Sequence, residues 1–217
     1  MNAVPFDTWQ LIALAGALGW ASGVRLYAVL FIVGGLGHLG WIPLPGKLDV
    51  LAHPYVLAAS GAMFAIEFFA DKIPGVDSFW DFLQTFVRIP AGAALAAGVF
   101  GDSPGAWTVA AAILGGTLAT GSHLAKTGSR MAINTSPEPF SNWAASFGED
   151  LTVGVVLWLA WMHPIAALIV LALLIVVMVW LIRRVGRFVL ATLERLRSTF
   201  GGAHAGREPP RLPPLTW

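Results

Sequence analysis

Residues 19–35, GWASGVRLYAVLFIVGG, read as a membrane-crossing helix that carries an arginine at its middle. A charge at a helix centre costs about 2.5–3.5 kcal/mol by insertion scales unless it is paired or hydrated. Arg25 also follows Ser22-Gly23 closely, residues that hold a helix poorly. The arginine therefore requires a carboxylate, a bound anion or a hydrated cavity, and the Ser-Gly pair marks a place where the helix is expected to be interrupted.

The 217-residue chain is 57% hydrophobic and 12% charged, with a mean hydropathy of +0.73. Soluble domains carry about 25% charged residues, so the composition points to an integral membrane protein. The absence of cysteine excludes disulfides, thiolate metal sites and cysteine nucleophiles. The opening MNAVPFDTWQ has no basic n-region and no small-residue cleavage site, so the first apolar segment is expected to be retained.

A crossing helix needs roughly 20 apolar residues. Six segments qualify, at about 9–37, 50–70, 79–100, 105–126, 142–162 and 164–182. With six crossings both termini share a side. That side holds Lys72, Arg88, Lys126, Arg130 and the seven arginines from Arg183 onward, against Lys47 on the other. Lys and Arg are enriched on the cytoplasmic side, so both termini are expected in the cytoplasm and the protein in a bacterial inner membrane. Residues 1–182 form the expected transmembrane domain, 183–200 a basic amphipathic cytoplasmic helix, and 201–217 a disordered Pro/Gly-rich tail.

ASGVRL at 21–26 resembles ATGSHL at 119–124, at an offset that sets Arg25 opposite His123. Three helices per half is an odd number, which predicts an inverted repeat of about 9–101 and 105–182, the plan of many secondary transporters. The expected fold is thus an all-α polytopic transmembrane helix bundle, with its first and fourth helices interrupted at Ser22-Gly23 and Thr120-Gly121. Close packing of small residues is the alternative source of the same glycines.

The other charges fall into stripes. Glu67 and Asp71 share a helix face at i, i+4; Asp77, Asp81, Gln84 and Arg88 recur at three and four; so do His123, Lys126 and Arg130. Glu149 and Asp150 lie inside the fifth helix, about 100° apart in direction, so only one is expected to face a given cavity. The candidate site comprises Ser22, Gly23, Arg25, Thr120, Gly121, His123, Glu149 and Asp150, with Glu67, Asp71, Asp81, Arg88, Lys126 and Arg130 as a second polar cluster. The connection NTSPEPFSNWAASFGED, with two prolines around Glu138, reads as an ordered turn or re-entrant segment. No phosphate-binding loop, HExxH or GxSxG occurs, and no cofactor, metal or nucleic acid is called for.

WASGVRLYAVLFIVGGLGHLG, EFFADKIPGVDSFWDFLQTFVRIPAGA and KTGSRMAINTSPEPFSNWAASFGED together resemble the family catalogued as domain of unknown function 4126, over about residues 10–180. The resemblance implies a bacterial integral-membrane protein and no chemistry. The residues themselves favour a small transporter holding a polar or anionic solute or ion near the midplane. An ion channel, a lipid-headgroup enzyme and an accessory subunit are the alternatives, and small residues suit either a homo-oligomer or a partner in a larger complex. Whether Arg25 meets a ligand or Glu149 is left to the structure.

Overall fold

The computed structural model describes residues 6–73, 75–135 and 139–201. These residues form six α-helices and one short 3₁₀ turn, without a strand: α1 Thr8–His38, the 3₁₀ turn Leu48–Ala52, α2 Pro54–Ala70, α3 Val76–Val99, α4 Gly105–Ile133, α5 Pro139–Met162 and α6 Pro164–Gly201. Local chemistry sets the starts. Asp7 caps α1 by accepting from Gln10 N at 2.7 Å, and Pro54, Pro139 and Pro164 stand at first helical positions, where a missing N–H costs nothing. Four helices are long and apolar enough to cross a membrane: α1, α3, α4 and Pro164–Ala191 of α6. The charged side chains of Arg25, Arg88 and Arg130 are buried while Phe86, Leu151 and Val176 are exposed, the polarity expected of a bundle in lipid.

The long first helix is not a rod. Gln10 Nε2 donates to the Trp161 carbonyl at 3.1 Å, yet Trp161 also lines a cavity with Ile32, Val33 and Leu36. A straight helix would hold Gln10 and Leu36 about 39 Å apart. The break that lets both reach Trp161 is Arg25, whose φ of −146° and ψ of 69° are non-helical. The chain goes in along an arm ending near Val24, turns at Arg25, and comes back along a second arm to His38. Both arms end at the Trp161 end of the bundle, and Arg25 is the tip.

The remaining helices follow this hairpin. Beside the second arm, α2 runs towards the tip, with Leu57 on Gly34, Phe64 on Phe31 and Asp71 on Arg25. Beside the first arm, α3 runs away from it, from Gln84 on Tyr27 through Arg88 at Gly23 to Gly92 on Ser22. It finishes where the Gly98 carbonyl accepts from Lys47 N at 2.8 Å. Gly19 lies on Gly115 and Gly23 on Ala119, so α4 runs with the first arm towards the tip. The fifth helix returns to Trp161, and α6 again runs tipward with Leu171 on Gly16 and Met178 on Gly121.

Two expectations are corrected here. The fourth helix is continuous from Gly105 to Ile133. Thr120 Oγ1 donates back to the Gly116 carbonyl at 2.7 Å, and Gly121 leaves room for Met178, since a Cβ there would stand 2.7 Å from its sulfur. The glycine serves packing and not a break. An inverted repeat would also require α1 and α4 to run in opposite directions, whereas α4 runs alongside the first arm of α1. ASG and ATGS are contact partners: a Cβ on Gly23 would collide with Ser122 Oγ and the Ala119 carbonyl. The start of α1, near Trp161, and Leu181, which lies against Lys126 and Gly148, are at opposite ends of residues 1–182.

The chain divides into two compact units, residues 1–182 and 183–217. The second is the continuation of α6 to Gly201, with Arg187 Nε donating to the Arg183 carbonyl at 3.4 Å. Most of the segment expected to be disordered, from residue 202 on, lies outside the described residues, as does Glu138.

The hairpin can be tested directly because the chain has no cysteine. Single cysteines at Thr8 and Leu39 are expected to react with a membrane-impermeant maleimide from one side, and a cysteine at Thr135 from the other. Opposite-side labelling of Thr8 and Leu39 would restore a single crossing for α1. Gly23→Ala is expected to destabilise the bundle by about 1–3 kcal/mol through overpacking, read as a lowered thermal transition in detergent. Gly154→Ala, whose Cβ would meet nothing within 4 Å, is the neutral control.

Candidate functional site

Breaking α1 at Arg25 frees backbone carbonyls inside the bundle, where each must find a donor. Side chains of α3 and α4 supply them. Lys126 Nζ donates to Val24 O at 3.2 Å and Arg88 Nη1 approaches Gly23 O at 3.5 Å, while Ser122 Oγ adds a donor to Trp20 O, within the first arm, at 2.7 Å. The absence of a side chain on Gly23 is what lets α4 come this close.

The Arg25 side chain is fully buried and meets carboxylates from two elements. Nη1 lies 2.6 Å from Asp71 Oδ2, Nε 3.0 Å from Asp150 Oδ1 and Nη2 3.6 Å from Glu149 Oε2. Nη2 also donates to Ser146 Oγ at 2.7 Å and to Ser146 O at 3.2 Å. The Nε and Nη1 hydrogens are not aligned with their carboxylates, so those two contacts are ion pairs by proximity. Arg25 therefore meets Glu149 together with two further carboxylates. Both Glu149 and Asp150 reach it, because the planar guanidinium is wide enough to take two neighbours 100° apart on a helix.

A second group adjoins the first. Arg88 pairs through Nη2 with Glu67 Oε1 and through Nη1 with Asp81 Oδ1 at 2.9 Å. His123 sits beside it, with Nδ1 3.3 Å from Arg88 Nη1 and Nε2 2.8 Å from Thr85 Oγ1. Lys126 joins the two groups. Its Nζ is 2.9 Å from Asp71, 3.4 Å from Asp81, 3.6 Å from Glu149 and 3.9 Å from Glu67. Arg130 holds Glu149 by a two-pronged contact, Nε to Oε1 at 3.1 Å and Nη2 to Oε2 at 2.9 Å. Among the described residues the ion-paired set comprises Arg25, Arg88, Lys126 and Arg130 against Glu67, Asp71, Asp81, Glu149 and Asp150. Lys72, whose Nζ donates to Ser146 Oγ at 3.5 Å, adds a fifth cation beside these five carboxylates, and Glu67 Oε2, Asp71 Oδ1 and Asp81 Oδ2 are buried without a hydrogen-bond donor.

A hydrogen-bonded relay from Asp77 to Arg130 closes the tip end. Asp77 accepts from Asn134 Nδ2 at 2.9 Å, Asn134 Oδ1 accepts from Asn142 Nδ2 at 2.8 Å, and Asn142 O accepts from Arg130 Nη1 at 3.1 Å. The connection from Asn134 to Asn142 is thus pinned at both ends. Lys72, in the turn after α2, adjoins the ion-paired set through Ser146 Oγ, which Arg25 also holds. Its Nζ is 3.0 Å from the centre of the Phe68 ring and donates to the Phe68 carbonyl at 3.0 Å. Burial first, and the Arg25 charge second, lower its pKa.

All six residues of the expected second cluster therefore belong with Arg25, Glu149 and Asp150 in one network. His123 belongs beside Arg88 and Thr85, Ser22 Oγ bonds back to Gly19 O at 2.8 Å, and Thr120 and Gly121 serve α4 packing. Arg88, Lys126 and Arg130 are buried, so they cannot be counted as loop charges of either side. Ser146, Thr85 and Tyr27, whose OH donates to Gln84 Oε1 at 3.0 Å, were missed as site residues. The signal for Ser146 was present: Asn142, Ser146 and Glu149 form a stripe at four and three on α5.

Beside the network lies a cavity of about 260 Å³. Lys126, Glu149, Ser122, Ser129 and Thr152 contribute its polar residues, and Trp20, Leu174, Val177, Met178 and Leu181 its apolar ones. Lys126 and Glu149 belong to both cavity and network. Among the described residues, no three acidic or histidine side chains converge as a metal site.

The model of the family described as Domain of unknown function (DUF4126) matches residues 12–184, which hold the hairpin, the network and the cavity. The chain belongs to this family. No curated protein and no solved structure matches the chain. The family match therefore supplies membership, and its description names no substrate for the residues assembled here.

Removing the tip charge is expected to be severe. Arg25→Ala leaves Asp71 and Asp150 facing one another in the bundle, a loss of about 3–5 kcal/mol for a broken buried pair. Arg25→Lys is expected to recover little, since one ammonium cannot reach Asp71, Asp150 and Ser146 together. In a thermal-unfolding cycle with Asp71→Leu, Arg25→Met is expected to couple by about 0.5–3 kcal/mol. Strict additivity of the two substitutions would show that the pair does not interact.

Proposed function

We propose that this chain is a small transporter of the bacterial inner membrane, with the cavity as its substrate chamber and the buried network as its ion-coupling element. One observation carries the reading: the cavity and the buried ion network share Lys126 and Glu149. A partly exposed carboxylate that joins a low-dielectric network to a cavity is a group that can take up and release a proton or ion. A broken helix whose tip meets such a site is a recurrent element of carriers. The anionic solute suggested by Arg25 loses its best contact, because the guanidinium already faces three carboxylates.

We read the tip end of the bundle, which carries Lys72 and leads into the Arg183 stretch, as cytoplasmic, because Lys and Arg favour that side. The start of α1 then faces the opposite side, in place of two cytoplasmic termini. Proteoliposomes loaded with a pH-sensitive dye test the transport reading. The wild-type chain is expected to move protons when a solute gradient is imposed, and Glu149→Gln to abolish this, with a lowered unfolding temperature because buried Arg130 loses its carboxylate partner. Equal proton movement in Glu149→Gln would remove the carboxylate from coupling. No solute-dependent proton movement by the wild type, across amines, carboxylates and sugars, would overturn the transporter.

A further inference from the structure

The polar atoms of the cavity are nearly all acceptors. Ser129 Oγ donates to Lys126 O at 2.7 Å, Thr152 Oγ1 to Gly148 O at 2.7 Å and Ser122 Oγ to Trp20 O at 2.7 Å. Each hydroxyl hydrogen is engaged by the backbone, so the cavity receives oxygen lone pairs. Lys126, the one cationic lining group, is 2% exposed and keeps its ammonium on Asp71 and the Val24 carbonyl. Glu149 is 15% exposed, the most accessible charge of the cavity, and it is anionic. Trp20 adds an aromatic side chain to the lining.

The rest of the wall is apolar. Leu174, Val177, Met178 and Leu181 of α6 form one side, and exposed Gly148 of α5 and exposed Val177 stand at the edge. A ligand suited to this chamber is therefore small, apolar along most of its length, and ends in a group that donates hydrogen bonds and carries positive charge.

We infer that the cavity between α4, α5 and α6 binds a lipophilic primary amine in its ammonium form, with the ammonium on Glu149 and the hydroxyl oxygens of Ser129 and Thr152 and the apolar body along α6. This rests on the transporter reading for its role as substrate, and on the cavity alone for its binding.

Octylammonium and octanoate, equal in chain and opposite in charge, are the probes. Titration calorimetry on the full chain in phosphatidylcholine nanodiscs is expected to show saturable octylammonium binding and none for octanoate. Octyltrimethylammonium, which has no N–H to donate, is expected to bind about tenfold more weakly, the scale of a lost charge-assisted hydrogen bond. Val177→Trp fills the chamber from α6 without touching an ion pair and is expected to abolish binding. Thr152→Val removes one acceptor outside the network and is expected to weaken it several-fold. Glu149→Gln would remove the anionic contact, and the two pocket variants keep the question answerable should it fold poorly.

Octanoate binding as tightly as octylammonium would overturn the inference, as would octylammonium binding unchanged in Val177→Trp. Octylammonium binding in nanodiscs with no flux in proteoliposomes would uphold the ligand class and overturn transport. Solute-coupled flux by a chain that binds no octylammonium would overturn the ligand class and leave transport standing.

Discussion

The structure depends on one guanidinium at the turn of a broken helix. Arg25 sits about 25 Å along the first arm by helical rise, too deep to reach water at the bundle's Trp161 end. It is stable there because Asp71, Asp150 and Glu149 surround it. Those carboxylates are no easier to bury than the arginine. Asp71 is shared with Lys126, Glu149 with Arg130 and Lys126, and Lys126 reaches Asp81 and Glu67, which Arg88 holds from its other side. No single pair balances by itself. Desolvating each ion costs several kcal/mol after relaxation, so the members must be buried together or not at all.

Backbone and side chains satisfy one another at the same place. Opening α1 at Arg25 exposes carbonyls that a continuous helix would occupy, and Lys126 and Arg88 use those of Val24 and Gly23 as acceptors. The contact demands that α4 lie almost on the backbone of α1, and Gly19, Gly23 and Gly115 permit it. Small residues in a membrane bundle are often read as packing devices alone. Here close packing and charge satisfaction are one requirement, because a wider gap at Gly23 would move Lys126 away from both the carbonyl and Asp71.

A break in α1 was legible, expected at Ser22-Gly23 and found two residues on at Arg25; the stripe Asp77, Asp81, Gln84, Arg88 was legible because charges in an apolar chain are rare and their spacing shows the face they share. All four residues of that stripe are buried. The reversal of α1 was not legible, since 31 apolar residues read equally well as one tilted crossing or as an arm in and an arm out. The apparent repeat misled for a physical reason. ASG and ATGS resemble each other because both sides of a close helix contact select small residues, and this selection imitates symmetry. His123 matched Arg25 by offset, but its place is set by α3, through Thr85 and Arg88.

The network and the cavity are not independent. Glu149 contacts Arg130, Lys126 and Arg25 on one side and lines the cavity on the other. A cation arriving at Glu149 competes with Arg25 and Arg130 for the same oxygens, and weakens the hold of α5 on the tip of α1. Because Asp71 and Asp150 also hold Arg25, the tip need not be released for its partners to be redistributed. Linkage makes the effect reciprocal: whatever changes the protonation or pairing of the network changes cavity affinity by the same free energy. The hairpin supplies a movable element for that exchange, because its two arms meet at a single non-helical residue and are held at the tip by charges that have alternative partners within 4 Å.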